Sequence, residues 1–77
     1  MQNKVIIVDA RGQLCPWPLI LAKQALSQLA SGATIEVWAD DPLAELDLRA
    51  LCARAGHGFV LIGQAPKPWL CVHITKA

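Results

Sequence analysis

The sequence predicts a two-layer α/β sandwich in which two helices cover one face of a four-stranded mixed sheet. Segments of strand length alternate with two segments of helical periodicity, in the order βαβαββ. The chain has 77 residues, the size of one domain, so we expect residues 1–77 to form a single domain. Its residues are 55% hydrophobic and 17% charged, and this composition excludes a disordered chain.

The first half of the chain predicts a parallel β-α-β unit. The β-branched run at residues 4–9 predicts a buried strand, and a loop around Gly12 follows it. A helix is expected from Pro16, and Gly32 stands where its C-terminal cap belongs. Residues 34–39 predict the second strand, which a right-handed crossover makes parallel to the first. The apolar positions that recur on one face of this helix are Leu19, Ala22, Leu26 and Leu29.

The second half predicts a helix followed by two strands. Asp40, Asp41 and Pro42 mark the start of this helix, because an acidic cap and a proline at the first helical position favour initiation. The helix is expected to end at Gly56. The other predicted elements are strands at residues 59–64 and 69–75, with a turn at residues 65–68.

The last strand alternates, so its side chains are predicted to divide between the two faces of the sheet. The set predicted to face the core is Leu70, Val72 and Ile74. The set predicted on the uncovered face is Trp69, Cys71 and His73, with Trp38 and Glu36 from the second strand. Zinc needs three or four ligands, and no second pair accompanies Cys71 and His73, so we expect no metal. No cofactor is expected either.

Charge and hydropathy exclude several classes of function. The net charge is +1 and the seven basic residues are scattered, which argues against direct binding of nucleic acid. No segment approaches the ~20 apolar residues of a membrane span, and the N-terminal apolar run is too short for a secretory signal. An odd count of three cysteines then predicts reduced thiols and a cytoplasmic location.

The segment Cys15-Pro16-Trp17-Pro18 carries the most informative chemistry in the sequence. The two prolines fix the chain into a first helical turn, which places Cys15 at the cap position. The amides of Trp17 and Leu19 are then nearby donors. Because a helix N-terminus favours the thiolate, we expect the pKa of Cys15 to be lowered.

The predicted topology brings other polar residues toward Cys15. Arg11 lies across the loop and is expected to add a positive charge beside the sulfur. Asp40 and Asp41 follow the second strand and are expected at the same edge of the sheet. The alternative is that the prolines only start a helix and that Cys15 is a small buried apolar residue.

Residues 9–18 resemble the signature of the TusA/SirA family of small sulfur carriers. They read Asp-Ala-Arg-Gly-Gln-Leu-Cys-Pro-Trp-Pro, and the family signature is Asp, two residues, Gly, two residues and then Cys-Pro-x-Pro. Two departures stand out: Gln13 replaces an apolar residue, and Arg49 replaces a proline and can pair with Glu45. The resemblance covers nearly the whole chain and continues at Lys23, Asp40-Asp41-Pro42, Asp47-Leu48, Cys52 and Gly56-His57.

The resemblance implies a sulfurtransferase that carries sulfur between proteins. Members of this family are two-layer α/β sandwiches that accept sulfane sulfur as a persulfide on the Cys-Pro-x-Pro cysteine, here Cys15. The implied donor is a cysteine desulfurase or a rhodanese-like protein, and the implied acceptor is a protein with a reactive cysteine. The sulfur then serves tRNA 2-thiouridine formation, sulfur oxidation or cofactor supply.

Each residue of the candidate site receives an expected role. Cys15 is the catalytic residue, and Trp17 is the anchor for a partner protein, because it projects beside the sulfur. The supporting residues are Pro16 and Pro18 at the helix start, Gly12 in the loop, and Arg11 and Asp41 near the sulfur.

Two other functions stay open. A non-catalytic interaction module would use the apolar surface around Trp17 and the uncovered sheet face, with an inert Cys15. A redox protein would pair Cys15 with Cys52, which is otherwise a spare thiol on the helix face of Glu45 and Arg49. Structural roles are expected for Asp47 and Arg54 as a solvated pair and for His57 as a loop residue. For Trp38 and Trp69, packing in the core is the simpler alternative to a place on the uncovered face.

Overall fold

Four strands and two helices follow one another in the predicted βαβαββ order. The computed structural model describes residues 5–63 and 69–77. The elements are β1 (Val5–Ala10), α1 (Trp17–Ser27), β2 (Thr34–Ala39), α2 (Ala44–Ala55), β3 (Gly58–Gly63) and β4 (Leu70–Thr75). The predicted two-layer α/β fold is confirmed. The predicted turn at residues 65–68 lies outside the described residues.

The strands form one mixed sheet in the order β1-β2-β4-β3. Strands β1 and β2 are parallel, with Val5 opposite Thr34, which confirms the crossover through α1. Strand β4 lies between β2 and β3 and is antiparallel to both. This topology brings the residues that follow β1 and those that follow β2 to one edge of the sheet.

The core lies between the helices and the covered face of the sheet. Leu48 of α2 has no exposed surface, and Ala22 and Leu26 supply the buried face of α1. The last strand divides as predicted, since its Leu70, Val72 and Ile74 all join this core. The fully buried branched side chains of the sheet are Ile35, Val37, Val72 and Ile74.

Strand β1 is not the buried strand that its β-branched run predicts. Val5, Ile6 and Ile7 are 39%, 40% and 53% exposed. The reason is position in the sheet: among the strands that the structure describes, β1 lies at the edge and pairs with β2 alone. Only its C-terminal part reaches the core, through Ala10 and the partly buried Val8.

Helix α1 is shorter than predicted at both ends. Its N-cap is Pro16 and its C-cap is Gln28, whereas the sequence suggested a start at Pro16 and a cap at Gly32. Gly32 instead lies in the turn before β2, with φ +90°, and its N–H donates to the carbonyl of Lys76 at 2.9 Å. The prediction that Gly32 caps α1 is therefore wrong.

Helix α2 also begins later than predicted. It starts at Ala44, with Leu43 as its N-cap, because Asp41 and the residues after it form a separate turn. The predicted end is correct, since Gly56 adopts the left-handed conformation (φ +80°) and its N–H bonds the carbonyl of Cys52 at 2.8 Å. No helix in the described ranges has the length and apolar character needed to cross a membrane.

Candidate functional site

Cys15 lies on the loop between β1 and α1 and is exposed. It precedes Pro16, which is the N-cap, so the prediction that Cys15 itself occupies the cap position is wrong. The Cys15–Pro16 peptide bond is cis. The N–H of Trp17 donates to the carbonyl of Leu14 at 2.8 Å, so this amide closes the turn and does not point at the sulfur.

Two carboxylates that follow β2 hold the Cys15 loop in place. The N–H of Gly12 donates to the two carboxylate oxygens of Asp40, at 2.9 and 3.1 Å. Gly12 has φ +79°, a left-handed conformation that favours glycine and so explains this residue in the loop. The N–H of Cys15 donates to Oδ2 of Asp41, and the other oxygen of Asp41 accepts from the N–H of Leu43 at 3.1 Å. The expectation that both aspartates share an edge with Cys15 is confirmed.

The prolines that flank Trp17 have different surroundings. Pro18 is fully buried under the first turn of α1, whereas Pro16 is exposed. Trp17 is 51% exposed, which confirms the predicted exposure beside the sulfur. The loop thus presents a thiol and an aromatic side chain to solvent, while Pro18 anchors its end.

The Cys15 sulfur contacts a carboxylate that the sequence did not assign to it. Its S–H donates to Oδ2 of Asp47 on α2, over an Sγ–Oδ2 distance of 2.8 Å. This hydrogen bond raises the pKa of Cys15, and partial desolvation and the negative charges of Asp47 and Asp41 act in the same direction. The prediction of a lowered pKa is therefore wrong, because carboxylates rather than helix amides lie next to the sulfur.

Arg11 does not take the place beside the sulfur that we expected. Its Nε and Nη2 donate to the carboxylate of Asp9 at 2.8 and 2.7 Å, and these bonds hold the pKa of Asp9 down to about 2. The guanidinium also lies over the rings of Trp38 and Trp69, 4.9 and 4.5 Å from their centroids. The cation is thus engaged by an acid and two aromatic rings, and the shift at Cys15 comes from the carboxylates.

The uncovered face of the sheet carries a polar and aromatic network. Trp38 and Trp69 lie here, as the alternation along their strands predicts, and the alternative of core packing is wrong. Their ring centroids are 5.9 Å apart. Glu36 accepts from Nε1 of Trp38 at 2.6 Å and from Nε2 of His73 at 2.9 Å. These bonds, that of Trp38 first, lower the pKa of Glu36, and Cys71 contributes to the same effect. The predicted composition of this face is confirmed.

The candidate metal ligands do not assemble. Within residues 5–63 and 69–77, no three His, Cys, Asp or Glu side chains stand close enough to share a metal ion. His73 pairs with Glu36, and Cys71 is 5% exposed. His57, predicted as a loop residue, accepts a hydrogen bond from the N–H of Ala77 through Nδ1 at 3.0 Å.

Cys52 faces the core and not the side of α2 that we expected. It is 2% exposed and aligns with the buried Ala44 and Leu48, and burial raises its pKa. It forms no disulfide with Cys15. The predicted pair of Glu45 and Arg49 is present, with Nε and Oε2 2.9 Å apart.

Asp47 also lines a groove between the two helices. Asp47 and Arg54 were expected to form a solvated pair, but the carboxylate of Asp47 accepts a hydrogen bond from Cys15. Asp47 is the functional candidate that reasoning from the sequence missed, although it lies in a segment where the chain resembles the TusA/SirA family. The groove is lined by Leu19 and Lys23 of α1 and by Asp47, Ala50, Leu51, Arg54 and Ala55 of α2.

Fold and site together define a small α/β thiol protein, with one exposed cysteine held by carboxylates at the edge of a mixed sheet. The sequence model of a family described as "Sulfurtransferase TusA" matches residues 6–76. The chain belongs to the TusA family, as its resemblance to the family signature predicted.

Curated relatives and a solved structure agree with this assignment. The chain is 41% identical over 51 residues to the "Putative sulfur carrier protein YrkI" of Bacillus subtilis (strain 168), covering 66% of this chain and 68% of the relative. A "Putative sulfur carrier protein" of Archaeoglobus fulgidus is 32% identical over 68 residues, 88% of this chain and 93% of the relative. The crystal structure of a SirA-like protein from Desulfitobacterium hafniense matches with a TM-score of 0.82 and 30% identity, over 91% of this chain and 95% of that one. Family and relatives indicate a sulfur carrier of the TusA type.

Proposed function

We propose that this protein accepts sulfane sulfur as a persulfide on Cys15 and relays it to a cysteine of an acceptor protein. One observation carries the assignment to this residue: Cys15 is exposed on a loop, whereas Cys52 and Cys71 are 2% and 5% exposed. A sulfur that must reach into the sites of two other proteins has to be accessible, and the two buried thiols are not.

The loading step needs no oxidant. A donor persulfide E–S–SH and the Cys15 thiol give E–SH and Cys15–S–SH. The Cys15 sulfur forms a bond to the outer sulfur of the donor, the donor S–S bond breaks, and the Cys15 proton ends on the departing donor thiolate. The protein's part is to present the sulfur, through the loop that Asp40 and Asp41 hold. Groups for acid–base chemistry come from the donor and the acceptor.

The proposed partners follow from this chemistry. The donor is a protein that itself carries a persulfide, such as a cysteine desulfurase or a rhodanese-like protein. The acceptor is a protein with a reactive cysteine, on a route toward tRNA 2-thiouridine, sulfur oxidation or cofactor supply. A reducing compartment such as the cytoplasm suits a carrier that works through a thiol. Neither step requires this chain to contact nucleic acid.

The proposal is tested by intact mass after incubation with a cysteine desulfurase and cysteine. We expect a gain of about 32 Da, one sulfur atom, that a reductant removes. Alkylation followed by peptide mapping should place the sulfur on the peptide that contains Cys15. A gain that maps to Cys52 or Cys71 would contradict the assignment, and no gain with the desulfurase, thiosulfate or polysulfide would contradict the carrier function.

Trp17 is proposed as an anchor for the donor protein, because it is 51% exposed two residues from Cys15. We expect Trp17→Ala to raise the KM for loading by the desulfurase about tenfold. Loading by polysulfide, which needs no protein interface, should keep its rate. Val60→Ala is the matched control, since Val60 is 58% exposed on β3 at the opposite edge of the sheet. An unchanged KM for Trp17→Ala, or an equal change for Val60→Ala, would remove this role.

A non-catalytic interaction module with an inert Cys15 is the alternative. The raised pKa of Cys15 favours it, because a protonated thiol is a weak nucleophile. The exposed apolar side chains of β1 also offer a contact surface. The loading experiment separates the two functions, since an interaction module gains no sulfur.

A further inference from the structure

We propose that Asp47 is a positioning residue that stabilises the sulfur-free state of Cys15 and disfavours the loaded state, so that sulfur passes on to the acceptor. This role rests on the proposed function. It concerns the energetic difference between the two states of the carrier and not the identity of the sulfur-bearing residue.

The contact that supports the proposal depends on the thiol proton. Cys15 donates that proton to Oδ2 of Asp47, across 2.8 Å. Asp47 lies in the first turn of α2 next to Leu48, whose side chain is fully buried, so the backbone that carries the carboxylate is fixed by the core. Once Cys15 carries sulfur, its Sγ has no proton and this hydrogen bond is lost.

The loaded state is also destabilised by repulsion between the persulfide anion and the nearby carboxylates. A persulfide is more acidic than a thiol and is an anion at neutral pH, and the negative charges of Asp47 and Asp41 lie beside it. Asp41 binds the N–H of Cys15 itself, so neither carboxylate can be far from the added sulfur. The terminal sulfur is therefore driven away from α2 and toward solvent, where an acceptor reaches it.

The cations near the site do not cancel this repulsion. Arg11 is bound to Asp9 and stacked on two tryptophans. Lys23 of α1 and Arg54 of α2 line the groove together with Asp47. The charges that shift the pKa of Cys15 are the negative charges of Asp47 and Asp41. The other charged groups on the neighbouring elements are Asp40, which binds the N–H of Gly12, and Glu45, which pairs with Arg49.

The delivery step then restores the thiol proton, and with it the hydrogen bond from Cys15 to Asp47. An acceptor thiol and the loaded carrier react as R–SH + Cys15–S–S⁻ → R–S–S⁻ + Cys15–SH. The acceptor sulfur bonds to the terminal sulfur, the bond from that sulfur to Sγ breaks, and its electron pair stays on Sγ. The proton lost by the acceptor ends on Sγ, where it is donated to Asp47. Charge and sulfur balance, and no external reductant takes part.

The test uses Asp47→Asn in the full-length protein, with two readouts. In the sulfur-free protein, the rate of Cys15 alkylation by iodoacetamide is measured against pH. We expect its inflection to move to lower pH, because the asparagine has no charge to oppose the thiolate. In the second readout, the protein is equilibrated with a fixed ratio of glutathione persulfide to glutathione. We expect the ratio of loaded to unloaded Cys15 to rise several-fold over the wild type.

Two variants control for charge and for folding. Glu45→Gln removes one negative charge from the same helix without touching the sulfur, and we expect both readouts to stay at wild-type values. Asp47→Glu keeps a carboxylate and should stay close to wild type in the alkylation profile. The role of Asp47 would be overturned if Asp47→Asn left the alkylation profile unchanged. It would also be overturned if the wild type loads and Asp47→Asn shows the same ratio of loaded to unloaded Cys15. A wild type that takes up no sulfur from any donor would refute the proposed function instead.

Discussion

Cys15→Ser is expected to abolish sulfur transfer, so that the gain of about 32 Da on loading falls below detection. A serine hydroxyl is hardly ionised at neutral pH and forms no persulfide, so the first S–S bond cannot form. The fold should survive, because Cys15 is exposed and the serine hydroxyl can donate to Asp47 as the thiol does. The loss of activity would therefore report on chemistry and not on stability.

The measurement follows one sulfur atom from donor to acceptor. Labelled cysteine and a desulfurase load the carrier, and transfer to a thiol acceptor is read by mass. Cys52→Ala and Cys71→Ala are the matched controls, since each removes one of the two buried thiols, and we expect both to load at Cys15. Persistent loading of Cys15→Ser at another cysteine would show that the exposed sulfur is not the carrier atom.

The topology was predictable because each element leaves a local pattern. The alternating pattern of β4 predicts that Val72 and Ile74 face the core, and they lie there opposite the β-branched residues of β2. The order of the elements and the short connections then allow few arrangements of the sheet. The burial of β1 was not predictable in this way, because a β-branched run reads the same at the edge of a sheet as at its centre.

The electrostatics at Cys15 were not predictable from the local sequence. The two prolines correctly predicted a helix start directly after Cys15, although the cap is Pro16 and not Cys15. They did not show that the N–H of Trp17 closes a turn on Leu14, nor that Asp47 lies across from the sulfur. That second contact joins residues 32 positions apart and depends on how α2 packs beside the loop. Local capping rules describe one helix, whereas the largest cause of the raised pKa of this thiol is a hydrogen bond to a carboxylate on the other helix.

Leu48→Ala is expected to lower the free energy of unfolding by about 3 kcal/mol. Leu48 has no exposed surface and is the largest of the buried side chains of α2, so its truncation leaves a cavity that the small sandwich cannot fully close. Domains of this size rarely have more than ~5 kcal/mol of stability, and the variant should therefore be partly unfolded at 37 °C. Urea denaturation followed by tryptophan fluorescence measures the change.

Leu46→Ala provides the matched control on the same helix. Leu46 is 67% exposed two positions before Leu48, so the same chemical change there should alter the free energy of unfolding by less than ~0.5 kcal/mol. Equal losses for the two variants would mean that α2 does not pack as described. Because Asp47 lies between the two leucines, the rate of Cys15 alkylation in folded Leu48→Ala also reports on the site. A shift toward the profile of Asp47→Asn would show that the core under α2 holds the carboxylate against the sulfur.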